Sequence, residues 1–382
     1  MTPRSFAALY APKLLMTAQN WGVMPHPETG SAIRRLKDTP GAYGYTRTIH
    51  GAYDPQEPMR APDLRPDTPE GDAYAARIAE HGTYPEPWNF GVFDVPAVRL
   101  LAQHGVHSAK SGNFIEVYCG PEALRNPKYE LARLTLPALP LKGEHAGGIL
   151  LAPAWHHNFY HWMIDILPRL TLLSQPLSEG LPIVVPDSLK GFARGTLAAA
   201  LAALEIENEI VILSDGAHRF DRLVMPTNLS RTLDVSPSQR DFLRSVFSPK
   251  GTDGQKKRRI YISREDAQVR RIANEAEIRE ILLPLDFEIV TMSGLSVPEQ
   301  AALFASADIV ITHHGAAMTH LAFCDPGTVA IEIFQDGHFA PCFAKLAQLG
   351  DLRYGFGVGT PVQGDTHLDS GQLVGLLDRI GL

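Results

Sequence analysis

The stretch from Ala307 to Phe334 constrains the fold of this chain more than any other. Ala307-Asp308-Ile309-Val310-Ile311-Thr312 is an apolar run of the length of a parallel strand buried on both faces. It ends in His313-His314-Gly315, where a helix of small residues beginning Ala316-Ala317 starts at once. A second buried strand then runs from Thr328 to Phe334, with Glu332 near its carboxyl edge. Two buried strands joined through a helix make a βαβ unit, which belongs to a sheet with parallel strands. Such sheets bind ligands beyond the carboxyl ends of their strands, and a helix amino terminus after a glycine turn favours a phosphate. The stretch therefore predicts a pocket for a nucleotide or sugar phosphate.

The same alternation extends in both directions. Gly148 to Pro153, Leu181 to Pro186, Glu209 to Leu213 and Arg222 to Met225 read as strands, with helices over Asn158 to Leu173 and Leu189 to Leu204. Asn113 to Tyr118 reads as a further strand before them. Residues 231–257 are polar and contain Pro237, Pro249, Gly251 and Gly254, which suits a junction between domains. Beyond it Arg259 to Ser263 and Phe287 to Met292 read as strands, and Glu275 to Leu283, Val297 to Ser306, Phe339 to Leu349 and Leu368 to Ile380 as helices. The expected fold class is α/β, with two Rossmann-like lobes facing across a cleft and an irregular Pro/Gly-rich amino-terminal region. The expected boundaries are an arm at 1–110 packing on the first lobe, that lobe at 111–235, and a second at 236–382 whose last helix can cross back. A chain of 382 residues is long enough for two domains.

Composition narrows the function. Net charge is −7, which disfavours a broad nucleic-acid surface and leaves room for a local basic patch. Three cysteines, in no motif, fit free thiols in a reducing compartment. No secretory signal and no run of 18 or more apolar residues is present, so the expected location is cytoplasmic, with peripheral contact at the inner membrane face still compatible.

Two further clusters carry chemistry. In Trp155 to Arg169, a helix would place His157, His161 and Asp165 four residues apart on one face. Imidazole and carboxylate together suit a general base, with Asn158, Trp162 and Arg169 close by. The competing reading is an ordinary helix start with an Asp165–Arg169 pair. A zinc site is the weaker option, because Asn-Phe-Tyr between His157 and His161 lacks the glutamate of a zincin helix. In Tyr261 to Glu275, Arg264 leaves a strand end and Arg270 or Arg271 returns toward it, giving guanidinium forks that match diphosphate oxygens. Lys256, Lys257 and Arg258 read as a solvated face. The chain has no Gly-x-Gly-x-x-Gly, Walker A, Gly-x-Ser-x-Gly or Asp-x-Asp motif.

Taken in order, these clusters resemble glycosyltransferase family 61, the domain of plant xylosyltransferases, animal O-linked GlcNAc transferases and bacterial capsular-polysaccharide enzymes. The resemblance rests on Asn158-x-x-His161-Trp162-x-x-Asp165-x-Leu167-Pro168-Arg169-Leu170, on Ser263-Arg264 with Arg270-Arg271-Ile272 and Asn274-Glu275, and on a third run. That run goes from Glu299-Gln300 through Ala307-Asp308 and His314-Gly315-Ala316 to Phe323, Pro326-Gly327 and Ile331-Glu332. Ala317-Met318 departs from the small-residue-then-Leu pattern of relatives. The resemblance covers about residues 148–335 and implies a GT-B-like, inverting, metal-independent transferase with no cofactor beyond its nucleotide-sugar donor. It implies Asp165 as base with His161 orienting it or serving instead, and His157, Asn158, Trp162 and Arg169 lining the acceptor side. Arg264, Arg271, His313, His314, Gly315, Ala316 and Glu332 would meet the donor. The expected partners are a nucleotide-sugar and a glycan or lipid-linked saccharide acceptor, in surface or capsular polysaccharide synthesis, with no nucleic acid. A non-catalytic sugar-nucleotide or glycan-binding protein and a His/Asp metal-dependent hydrolase are the alternatives.

Overall fold

A computed structural model of the protein describes residues 46–54, 59–81, 88–102, 105–108, 112–113, 138–152, 155–173, 177–189, 191–231, 233–249 and 258–382. The sequence expectation for 114–118 and Cys119 lie outside them. The strands are β1 Thr46–Tyr53, β2 Trp88–Leu101, β3 Gly105–Ser108, β4 Gly112–Asn113, β5 Leu141–His145, β6 Gly148–Leu150, β7 Ile183–Pro186 and β8 Ile210–Leu213. They continue with β9 Ala217–Pro226, β10 Arg258–Ser263, β11 Phe287–Thr291, β12 Ala307–His313, β13 Val329–Gln335, β14 Arg353–Val362 and β15 Asp365–His367. The α-helices are α1 Pro69–Glu80, α2 Gly191–Ala203, α3 Pro237–Phe247, α4 Glu275–Leu282, α5 Val297–Ala305, α6 Cys342–Leu349 and α7 Ser370–Asp378. The chain divides into two compact units, Met1–Ala52 with Trp88–His157 and Asp165–Thr232, and Tyr53–Pro87 with Asn158–Ile164 and Leu233–Leu382.

The first unit is a mixed sheet in the order β4-β3-β2-β9-β6-β7-β8, with β1 on β2 and β5 on β9. The pairs β6–β7, β7–β8, β6–β9 and β5–β9 are parallel, whereas β2–β9, β2–β3 and β3–β4 are antiparallel. The expected Rossmann-like pattern is thus joined by an antiparallel strand of fourteen residues, β2. Gly91 and Pro96 disguise β2 in the sequence, since both are breakers inside strands. It holds because Val95, Val98 and Leu100 bury fully.

The second unit is a parallel sheet in the order β11-β10-β12-β13-β14, with β15 antiparallel on β14. Side chains alternate across it. Ile309, Ile311, Ile331 and Ile333 pack with Ile278 and Leu282 of α4 and Leu373, Leu376 and Leu377 of α7. On the other face Phe334 and Phe356 pack with Ala344 of α6 and with Tyr74, Ala75 and Ile78 of α1. The sheet is therefore doubly wound, and its winding reverses between β10 and β12, which opens a crevice at their carboxyl ends.

Within the region expected as an irregular arm on the first lobe, Tyr53–Pro87 belongs instead to the second unit. Leu64 forms a parallel bridge with Gly355, its carbonyl accepts from Phe356 N–H (2.8 Å), and a Cβ at Gly355 would meet Leu64 at 2.3 Å. Helix α1 follows, started by Thr68, whose hydroxyl accepts from Gly71 N–H (3.1 Å), and by Pro69 in its first turn. Pro69 is thus a helix-starting residue, and Pro62 and Pro66 flank the Leu64 bridge.

Candidate functional site

Arg264 follows β10 and His314-Gly315 follow β12, so both flank the crevice. Arg264 Nε donates to Arg270 O (3.0 Å) and Nη2 to Val269 O (3.3 Å), which aims the guanidinium at the turn after β12. A Cβ on Gly315 would lie 2.3 Å from Arg264 Nη1. Gly315 has φ 175, ordinary extended backbone, so a side chain there would displace the Arg264 guanidinium rather than strain the chain. A 3₁₀-helix over Ala316–Phe323 begins next, and its first return bond is Met318 N–H to Gly315 O (3.0 Å). The amides of Gly315, Ala316 and Ala317 therefore precede the bonded turn and supply donors beside a guanidinium, the combination that holds an oxyanion.

The second cation is Arg270. Its left-handed backbone, φ 58, is held by its N–H bonding Gly364 O (3.1 Å), and Nη1 donates to His338 Nε2 (2.8 Å). Burial first and Arg270 second push the Arg264 guanidinium below its ordinary range, with Asp266 partly offsetting them. Two neighbouring guanidiniums in a half-buried crevice stabilise an anion between them. Arg271 is placed otherwise. Its Nη2 and Nε meet Asp365 Oδ2 (2.9 and 3.1 Å) and its N–H meets Oδ1 (3.0 Å), so it clamps the loop to β15.

His313 is also structural. Nδ1–H donates to His314 O (3.1 Å) and Nε2 accepts from the Thr366 hydroxyl (2.8 Å), using both ring nitrogens in the fold. Burial, and then the neighbouring Arg264, His314 and Arg270, push its pKa down to about 3, so it is neutral. Glu332 is fully buried, and its oxygens accept from His314 Nδ1–H and from Tyr354 Oη (2.5 Å). Both oxygens are thus taken within the fold, contrary to the donor contact that the resemblance implied for Glu332.

Within Asn158–Ile164 the Asn158 side chain caps Tyr160 N–H (2.9 Å) and reaches His161 N–H (3.4 Å). Phe159 stacks on His320 (4.9 Å) and Tyr160 meets Phe343 edge-on (5.4 Å). The expected α-helix is replaced by a π-helix, His161–Ile166, and a 3₁₀-helix, Leu167–Leu172. Pro168 is the cause: it has no N–H for the Ile164 carbonyl and its ring crowds that carbonyl. Gln239 Nε2 serves it instead (2.8 Å). The stripe His157–His161–Asp165 is lost, because His157 lies in an exposed turn and Asp165 is 4% exposed. Trp162 is fully buried and cannot line an acceptor site. Arg169, 1% exposed, donates to Asp165 O (2.7 Å) and to the Asn228 side chain, so it braces the core. His161 is partly exposed, beside the buried Tyr160. Among the described residues no group of three or more His, Cys, Asp and Glu is placed to hold a metal ion.

Residues 159–331 match the family model described as Glycosyltransferase 61. This stretch, a little under half of the chain, is a glycosyltransferase family 61 domain. No curated protein matches it. The family 61 segment begins beside His161, contains Arg264, Arg270 and His314, and stops one residue before Glu332. As a glycosyltransferase it takes a sugar donor and an acceptor.

Sequence reasoning missed His338, Tyr354, Tyr74 and Gln239, which bond to or pack beside these segments. Gln239 had a signal: Ser236-Pro237-Ser238-Gln239 is a capping box, and Ser236 N–H bonds Gln239 Oε1 (2.7 Å). Tyr74 had none. Its hydroxyl bonds Asp336 (3.1 Å) and Gly337 N–H (3.2 Å), while Arg77 lies over Phe339 (4.0 Å), so α1 holds the loop that carries His338.

Proposed function

We propose that this protein is an inverting, nucleotide-sugar-dependent glycosyltransferase of the GT-B class that transfers to a glycan hydroxyl without a metal on the donor diphosphate. The observation that carries the reading is the Arg264 guanidinium seated over Gly315 at the winding reversal, with Arg270 beside it. Guanidiniums and helix-start amides neutralise a diphosphate as it departs, which is the largest electrostatic demand of the reaction. The acceptor oxygen attacks the anomeric carbon opposite the diphosphate, the carbon–oxygen bond to phosphate breaks with its electron pair on that oxygen, and a base takes the acceptor proton. His161 is the proposed base in place of Asp165, because it is partly exposed and Asp165 is enclosed. A lipid-linked or polymeric glycan of a surface or capsular polysaccharide is the proposed acceptor, on the cytoplasmic side. No helix among the described residues is long and apolar enough to cross a membrane.

Calorimetry with uridine, guanosine and cytidine diphosphates tests the donor half. Arg264→Ala is expected to weaken the bound nucleotide about 10- to 100-fold, the worth of one charge-assisted hydrogen-bonding group. Absence of binding by all three nucleotides in the wild-type protein sinks the reading. His161→Ala is expected to lower kcat about 100-fold or more with nucleotide affinity unchanged. Equal turnover in that variant excludes His161 as base, and loss of turnover on chelation supports the hydrolase alternative.

A further inference from the structure

We infer that Glu332 and Tyr354 are a buried positioning pair that holds His314 with its Nε2 turned to the donor diphosphate. The inference rests on the donor-site reading above. Glu332 lies on β13 opposite Thr312 of β12 and Phe356 of β14, on the face shared with Phe334. A carboxylate in such surroundings is costly unless both oxygens are hydrogen-bonded. Here one takes His314 Nδ1–H and the other the Tyr354 hydroxyl. Burial and Glu332 raise Tyr354 well above its ordinary range, so it stays a donor to the carboxylate. Neither group has an atom left for a ligand.

What the pair controls is therefore the imidazole. The His314 ring is fixed by Phe334 (5.6 Å, stacked), Phe343 (5.3 Å) and His338 (5.3 Å). With Nδ1 committed to Glu332, Nε2 on the far side of the ring is the nitrogen that remains. His338 on that ring accepts from Arg270, which places the imidazole at the border of the guanidinium cluster. A hydrogen bond from Nε2 to a phosphate oxygen places the ring between two anions, Glu332 and diphosphate. The arrangement follows the general rule that a carboxylate on one ring nitrogen orients the other toward its target. The titratable and charged groups facing His314 are Glu332, Tyr354, His338, His313 and Arg270.

Inorganic pyrophosphate is a probe that needs no knowledge of nucleoside, sugar or acceptor. Its affinity is measured by calorimetry. Glu332→Gln and His314→Gln are each expected to weaken binding about tenfold. Because Glu332 acts through His314, the double variant is expected to match the His314 variant rather than add to it. Tyr354→Phe leaves the Glu332–His314 bond in place and is expected to lower affinity less, so it carries the test if Glu332→Gln does not fold. Additive losses, or wild-type affinity in Glu332→Gln and Tyr354→Phe, overturn the positioning role while leaving the donor site intact. A wild-type protein that binds neither pyrophosphate nor nucleoside diphosphates overturns both.

Discussion

Neighbouring residues of one type have opposite fates in this protein. Arg270 and Arg271 are adjacent and equally basic, yet Arg270 points its guanidinium to His338 in the crevice and Arg271 is saturated by Asp365. The left-handed turn at Arg270 separates them. Arg270→Ala is expected to weaken nucleoside-diphosphate binding about tenfold, and Arg271→Ala by less than about threefold, since an exposed ion pair contributes little. Titration calorimetry on the two variants checks this, and a larger loss for Arg271 would restore it to the donor site. The same holds for His313 and His314: a strand's alternation sends one ring into the fold, where Thr366 and a carbonyl take it, and the other toward Glu332. The sequence shows the pair but not which is which, because partners 18 and 53 residues away decide it.

At the level of elements, the segment carrying His161 is shaped by Pro168 and rescued by α3. Gln239 caps α3 with its carbonyl and satisfies the Ile164 carbonyl with its amide. Gln239→Leu leaves a buried carbonyl and a helix start without partners, and is expected to cost about 1–3 kcal/mol. Chemical denaturation measures this, and a loss below about 0.5 kcal/mol would show the carbonyl is served in another way. Elements with simple periodicity were legible: β10, β12 and β13 lie where their apolar runs stand. Elements that carry breakers, β2 with its Pro96 and α1 after a run of prolines, were not, because burial overrides local preference.

For the whole molecule, buried neutral histidines set the acid limit. Burial pushes His320 down to about 4 and His313 down to about 3, from an ordinary 6.5. The unfolded chain gains protons near 6.5 that the folded one refuses, so stability falls as pH drops from about 6.5 toward these values. The slope approaches about 1.4 kcal/mol per pH unit for each histidine. His320→Phe is expected to remove about half of this two-histidine contribution between pH 6.5 and 5, read from denaturation midpoints across that range. An unchanged slope would mean His320 is protonated in the folded protein. By itself the sequence determined the α/β class, the strand–turn–helix with a glycine before a phosphate-type helix start, and the Arg264 position, because these depend on local period and spacing. Only the tertiary structure decided that the winding reverses between β10 and β12, that Arg270 rather than Arg271 enters the crevice, and that Glu332 serves His314. Those outcomes depend on which distant groups share a buried space, where every carboxylate and ring nitrogen must find a partner.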